Sequence, residues 1–138
     1  MRWLVMTIAA AAALACATFA FASGGSQGDQ GGAAYALVDP NGGTPRLVAN
    51  HTSGFVSVSV GNAGPGDYCL TPAAGVDVVK TAAVASEEAF YSAVAGFPTV
   101  RYDPTHANCT ANQLEVKTFV DNPTTALSNQ IAFTINVP

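Results

Sequence analysis

The chain has 138 residues, 49% of them hydrophobic and only 10% charged, with a formal net charge of −4 at pH 7. Its five Lys and Arg residues are scattered, which excludes the clustered basic face that nucleic-acid binding requires. A sparsely charged acidic surface suits a soluble secreted protein, although charge speaks to solubility and encounter rather than to fold.

Met1 and Arg2 are followed by an uncharged, mostly apolar run from Trp3 to Ala22, the pattern of a positive n-region and an apolar h-region. Residues 1–22 are therefore expected to be a secretory signal peptide. Ala20-Phe21-Ala22 supplies the small residues that precede a cut before Ser23. A run of about 20 apolar residues is also long enough to span a bilayer, but its alanine richness and the cleavage site followed by Ser and Gly favour removal. Leu14-Ala15-Cys16 approximates the motif at which bacterial lipoproteins are cut and acylated. A surface lipoprotein acylated at Cys16 is thus the alternative to a released product. Against it, Ala13 stands where leucine is usual, and apolar residues continue through Phe19 and Phe21. After cleavage, Arg46, Lys80, Arg101 and Lys117 remain against nine Asp and Glu, a net charge of −5. No membrane span is expected to remain.

Residues 23–32 are Gly, Ser, Gln and Asp with nothing to anchor a core, and read as a flexible leader. Gly25, Gly28 and Gly31 fall at a period of three, but such a short run without proline cannot sustain a collagen helix. Residues 33–138 read as a single domain. Within it the apolar pattern has period two, as half-buried strands require. Val56, Val58 and Val60 alternate with Ser57 and Ser59. Leu114, Val116, Thr118 and Val120 alternate with Glu115 and Lys117, and Ile131, Phe133, Ile135 and Val137 alternate with Ala132, Thr134 and Asn136. Weaker candidates cover 34–38, 46–50, 68–70, 76–84 and 99–102, separated by turn clusters such as Asp39-Pro40-Asn41-Gly42-Gly43 and Asn62-Ala63-Gly64-Pro65-Gly66. The expected fold is all-β: an antiparallel β-sandwich of Ig-like architecture with seven or eight short strands and at most one short helix. The helical candidate is 87–95, where Ser86 is placed to cap, Glu87 and Glu88 suit the dipole, and Phe90 and Val94 share a face. An irregular strand or long loop is the alternative for that stretch.

The mature chain keeps two cysteines, Cys69 and Cys109, and in an oxidising compartment a lone pair reads as one structural disulfide. Closing that loop contributes about 4 kcal/mol in the chain-entropy model. Neither cysteine has a second Cys or His at zinc spacing, and His106 with Cys109 is only half a site.

No serine lies in a G-x-S-x-G elbow, and His51 and His106 are the only histidines available as a base; each reads as a loop residue. Asp39-Pro40-Asn41-Gly42 resembles the opening of a calcium loop but lacks the third oxygen ligand and the later glutamate, so a hairpin turn explains it. Glu87, Glu88 and Glu115 offer a carboxylate pair for glycoside hydrolysis, yet nothing fixes their separation and they read as solvated surface groups. Asn50-His51-Thr52 and Asn108-Cys109-Thr110 match the N-glycosylation triplet, which carries no meaning if the alanine-rich signal is bacterial. No catalytic residue, metal or cofactor is expected.

Ala34-Tyr35-Ala36-Leu37-Val38-Asp39, Gly66-Asp67-Tyr68-Cys69-Leu70 and Leu114-Glu115-Val116-Lys117-Thr118-Phe119 together resemble small exported actinobacterial β proteins of unassigned function. The resemblance spans most of the mature chain and implies export, a β fold and the Cys69–Cys109 bridge; it carries no active-site residues. The expected function is that of a secreted or cell-envelope-associated binding or structural module without catalysis. It is expected to be monomeric and to meet an extracellular or envelope partner. The alternative is a small extracellular hydrolase or protease inhibitor. A hydrolase would need His51 or His106 beside an acid and a serine.

Overall fold

The computed structural model describes residues 34–79, 82–102, 105, 107–121 and 124–138. The expected signal peptide (1–22) with Cys16, the expected leader (23–32) and His106 lie outside the described residues. Among those described, nine strands form: β1 (Ala34–Asp39), β2 (Arg46–Ser53), β3 (Phe55–Val60), β4 (Asp67–Pro72), β5 (Val84–Glu88), β6 (Phe97–Arg101), β7 (Leu114–Asp121), β8 (Thr125–Leu127) and β9 (Ala132–Val137). All pairings are antiparallel. One sheet has the order β2-β1-β9-β5 and the other β3-β4-β7-β6, with β8 also paired to β7. The fold is a β-sandwich, as the period-two pattern requires, with one or two more strands than expected.

The core lies between the sheets and draws inward-facing residues from both. Ala36, Val38, Phe133 and Ile135 come from the first sheet, and Tyr68, Leu70, Leu114 and Val116 from the second. Tyr68 and Phe133 cross the gap with ring centroids 5.5 Å apart. The chain passes from β2 into β3 through Gly54, whose φ of +77° suits glycine; a Cβ there would lie 2.5 Å from Ala34 Cβ.

In the β1–β2 turn the Asp39 carboxylate is engaged by the turn itself and by Arg46. Asp39 Oδ1 accepts a hydrogen bond from Asn41 N at 2.9 Å, and Oδ2 accepts from Arg46 Nε and Nη2 at 2.9 and 2.7 Å. Asn41 and Gly42 take positive φ in a 3₁₀ turn (Asn41–Gly43), as the turn reading requires. Cys69 and Cys109 form the disulfide, with Cα atoms 5.5 Å apart.

Two expectations need correction and one alternative is decided. The segment 87–95 takes the strand-and-loop alternative rather than the helix: β5 runs through Glu88, with Glu87 opposite Phe133 and Glu88 opposite Ala132, and turns follow. The ladder offered by β9 outweighs a weak local helix preference. The strand expected over 76–84 begins only at Val84, because 78–79 form a turn. In β3 a register shift between Phe55 and Ser57 throws Val56 outward, leaving it 63% exposed, while Val58 packs on the core.

Candidate functional site

The outer face of the β2-β1-β9-β5 sheet carries a groove of ≈ 580 Å³. Its floor is the central pair β1 and β9, where Tyr35 lies opposite Asn136 and Leu37 opposite Thr134. One wall comes from β2. Between the pairs Ala36–Thr52 and Val38–Leu47 the register shifts, and β2 bulges by three residues. The bulge is tied by the Thr52 hydroxyl donating to the Val48 carbonyl at 3.0 Å, and it brings Asn50 and His51 to the groove.

The opposite wall is the end of β5 and the turn that follows it, which supply Glu88 and then Phe90 and Tyr91. This turn is held by side chains rather than by a ladder. Glu88 Oε2 accepts from Tyr91 N at 2.9 Å, and the Ser92 hydroxyl donates to the Glu88 carbonyl at 2.6 Å while accepting from Ala132 N at 2.9 Å. Ala93 N donates to the Gln130 carbonyl at 2.7 Å, and Gly96 N to Glu87 Oε1 at 3.2 Å. The loop therefore presents two rings from a fixed backbone. Phe90 is 84% exposed, its ring edge-on to Tyr91 at 5.1 Å, and Tyr35 on the floor is 45% exposed. Three exposed rings around one groove are an unusual concentration for a chain with 9% aromatic residues. A second recess, of ≈ 650 Å³, is lined by Pro65, Val94, Leu127 and neighbouring aliphatic and polar residues, without a ring.

The expected acid groups separate. Glu87 and Glu88 serve the turn just described. Glu115 is not the solvated surface group expected of it: it is 1% exposed, with Oε1 accepting from Asn108 Nδ2 at 2.8 Å and lying 3.1 Å from Lys117 Nζ. The disulfide draws 107–113 across the outer face of β4 and β7, and Asn108 covers what would otherwise be open. Asp67, fully buried beside Glu115, accepts from Ala63 N at 3.1 Å through Oδ2. Asp67 Oδ1 and Glu115 Oε2 are both buried without a hydrogen bond. Burial first, and then the Glu115 carboxylate, push the Asp67 carboxyl above its ordinary range, against the opposing pull of the Ala63 N–H and of Lys117.

His51 is exposed and shares the groove with Glu88, whose Oε2 is already engaged, and no serine lines the groove. Among the described residues no group of three or more His, Cys, Asp or Glu is placed to hold a metal ion, and no helix is long and apolar enough to cross a membrane. The groove itself escaped the sequence reading. Its signals were the bulge, invisible to periodicity, and the Phe90-Tyr91 doublet, of which the helical reading used only Phe90, paired with Val94 on one face. No family model, curated protein or solved structure matches the chain.

Proposed function

We propose that this chain is an exported, disulfide-closed binding module without catalysis, acting outside the cytoplasm on a component of the cell envelope or its surroundings. It would be of the kind implied by its resemblance to small exported actinobacterial β proteins. The observation that carries the reading is the groove across β1 and β9, in which Tyr35, Phe90 and Tyr91 expose rings beside Asn50, His51 and Asn136. Rings held on a fixed backbone give contact area at low entropic cost, and convergent polar groups orient what binds. The apolar run before Ser23 supports export, and a disulfide suits an oxidising compartment.

The test is co-sedimentation of the purified mature chain with washed envelope fragments of the producing cell. The wild type is expected in the pellet, and a Phe90→Ala/Tyr91→Ala variant of unchanged melting temperature in the supernatant. Equal partition of the two proteins would remove the groove from the reading.

A further inference from the structure

We infer that the groove across β1 and β9 takes a neutral carbohydrate chain, an inference that rests on the groove being a binding site. Its occupant can be narrowed by chemistry. Among the described residues no Lys or Arg lines the groove, so a phosphate, sulfate or carboxylate would meet no counter-charge from them. The single lining carboxylate among the described residues, Glu88, already accepts from Tyr91 N, which leaves little to attract a cation. A purely apolar guest would strip water from Asn50, His51, Thr134 and Asn136 without replacing its hydrogen bonds. An extended peptide joins a sheet through a free strand edge, yet the floor strands β1 and β9 are interior to the sheet order and paired on both sides.

A sugar ring meets each of these conditions. Its C–H face is apolar and packs on an aromatic ring, while its equatorial hydroxyls both donate and accept. Phe90 and Tyr91 on one wall and Tyr35 on the floor offer the ring surfaces. Asn136, opposite Tyr35 in the ladder, offers one donor and one acceptor group on the same floor, and Asn50 does so from the far wall. Openness to solvent along the sheet face suits an internal stretch of a polymer rather than a single buried monosaccharide.

The experiment is a titration of the isotopically labelled mature domain, followed through backbone amides, with hexameric fragments of neutral glucose, mannose and N-acetylglucosamine polymers. Polygalacturonate fragments serve as the anionic comparison. At least one neutral hexamer is expected to shift the amides of Tyr35, Tyr91 and Asn136 saturably, with polygalacturonate inert. Phe90→Ala should weaken that binding about tenfold, as loss of a central aromatic anchor does. Asn136→Ala should weaken it too, with the melting temperature of both variants unchanged. Absence of shifts with every neutral hexamer, shifts equal in wild type and Phe90→Ala, or preference for polygalacturonate would each overturn the inference. If the envelope co-sedimentation still depends on Phe90 and Tyr91 while no neutral hexamer binds, the carbohydrate assignment falls and the binding groove stands. If neither dependence is seen, the groove itself is not a binding site.

Discussion

Asp67 and Glu115 lie together beneath two loops, and the burial of Asp67 makes stability depend on pH in a direction opposite to that of a carboxylate held ionised by an ion pair. Because Asp67 titrates above its unfolded value of about 4, the folded state keeps a proton that the unfolded state releases. Its contribution is full below about pH 4 and is lost as pH rises through the raised folded value. The charged neighbours on the facing strands, Glu115 and Lys117 of β7 and Arg101 of β6, are common to wild type and variant, so a difference measurement isolates Asp67. Asp67→Asn keeps the acceptor for Ala63 N and places an N–H toward Glu115. Denaturant unfolding should show it equal to wild type near pH 4 and more stable by about 1–3 kcal/mol at pH 7. A variant less stable than wild type at neutral pH would mean that no proton is shared there. The burial of Glu115 was not legible in its alternation with Lys117. Period two places a residue on a face, but only the disulfide and Asn108 decide whether that face is covered.

The stretch from β5 to β6 shows why local pattern fails at this site. Ser86, Glu87 and Glu88 read as a helix start because the same short polar side chains that cap helices also tie turns. Here Glu88 reaches three residues ahead to Tyr91 N, as a capping group would, and the helix never propagates because Ser92 and Ala93 are claimed by Ala132 and Gln130 of the β9 approach. By contrast β7 and β9 were plain in sequence, since long alternation against a single core admits one register. Ser92→Ala should leave Ala132 N, buried in the sheet, without its partner. A loss of about 1–3 kcal/mol in denaturant unfolding is expected, together with faster amide exchange over 89–95. Gly96→Ala belongs to the same element: a Cβ would collide with Ile131 Cδ1 and the Phe119 carbonyl, and overpacking of that kind costs about 1–3 kcal/mol. Unchanged stability in either variant would mean that the loop is not pinned as described, and the preorganised wall of the groove would go with it.

At the scale of the molecule, the two sheets, the bridge and the groove form a division of labour. The β3-β4-β7-β6 sheet is closed on its outside by the Cys69–Cys109 loop and its buried polar cluster, while the outside of β2-β1-β9-β5 is left open and lined with rings. The sandwich and the bridge could be read from alternation and cysteine parity; the choice of which face stays open could not, because it depends on a bulge and a turn. Replacing both cysteines by alanine should cost about 4 kcal/mol of stability, measured by denaturant unfolding, and expose Glu115 to solvent. An unchanged midpoint would place the loop's hold elsewhere. The proposed function requires export, and that requirement is tested most directly by the intact mass of the protein recovered from its native host, with and without reduction and alkylation. The account predicts a chain that begins at Ser23 and lacks the two thiol hydrogens of Cys69 and Cys109. A full-length chain carrying free thiols would contradict it.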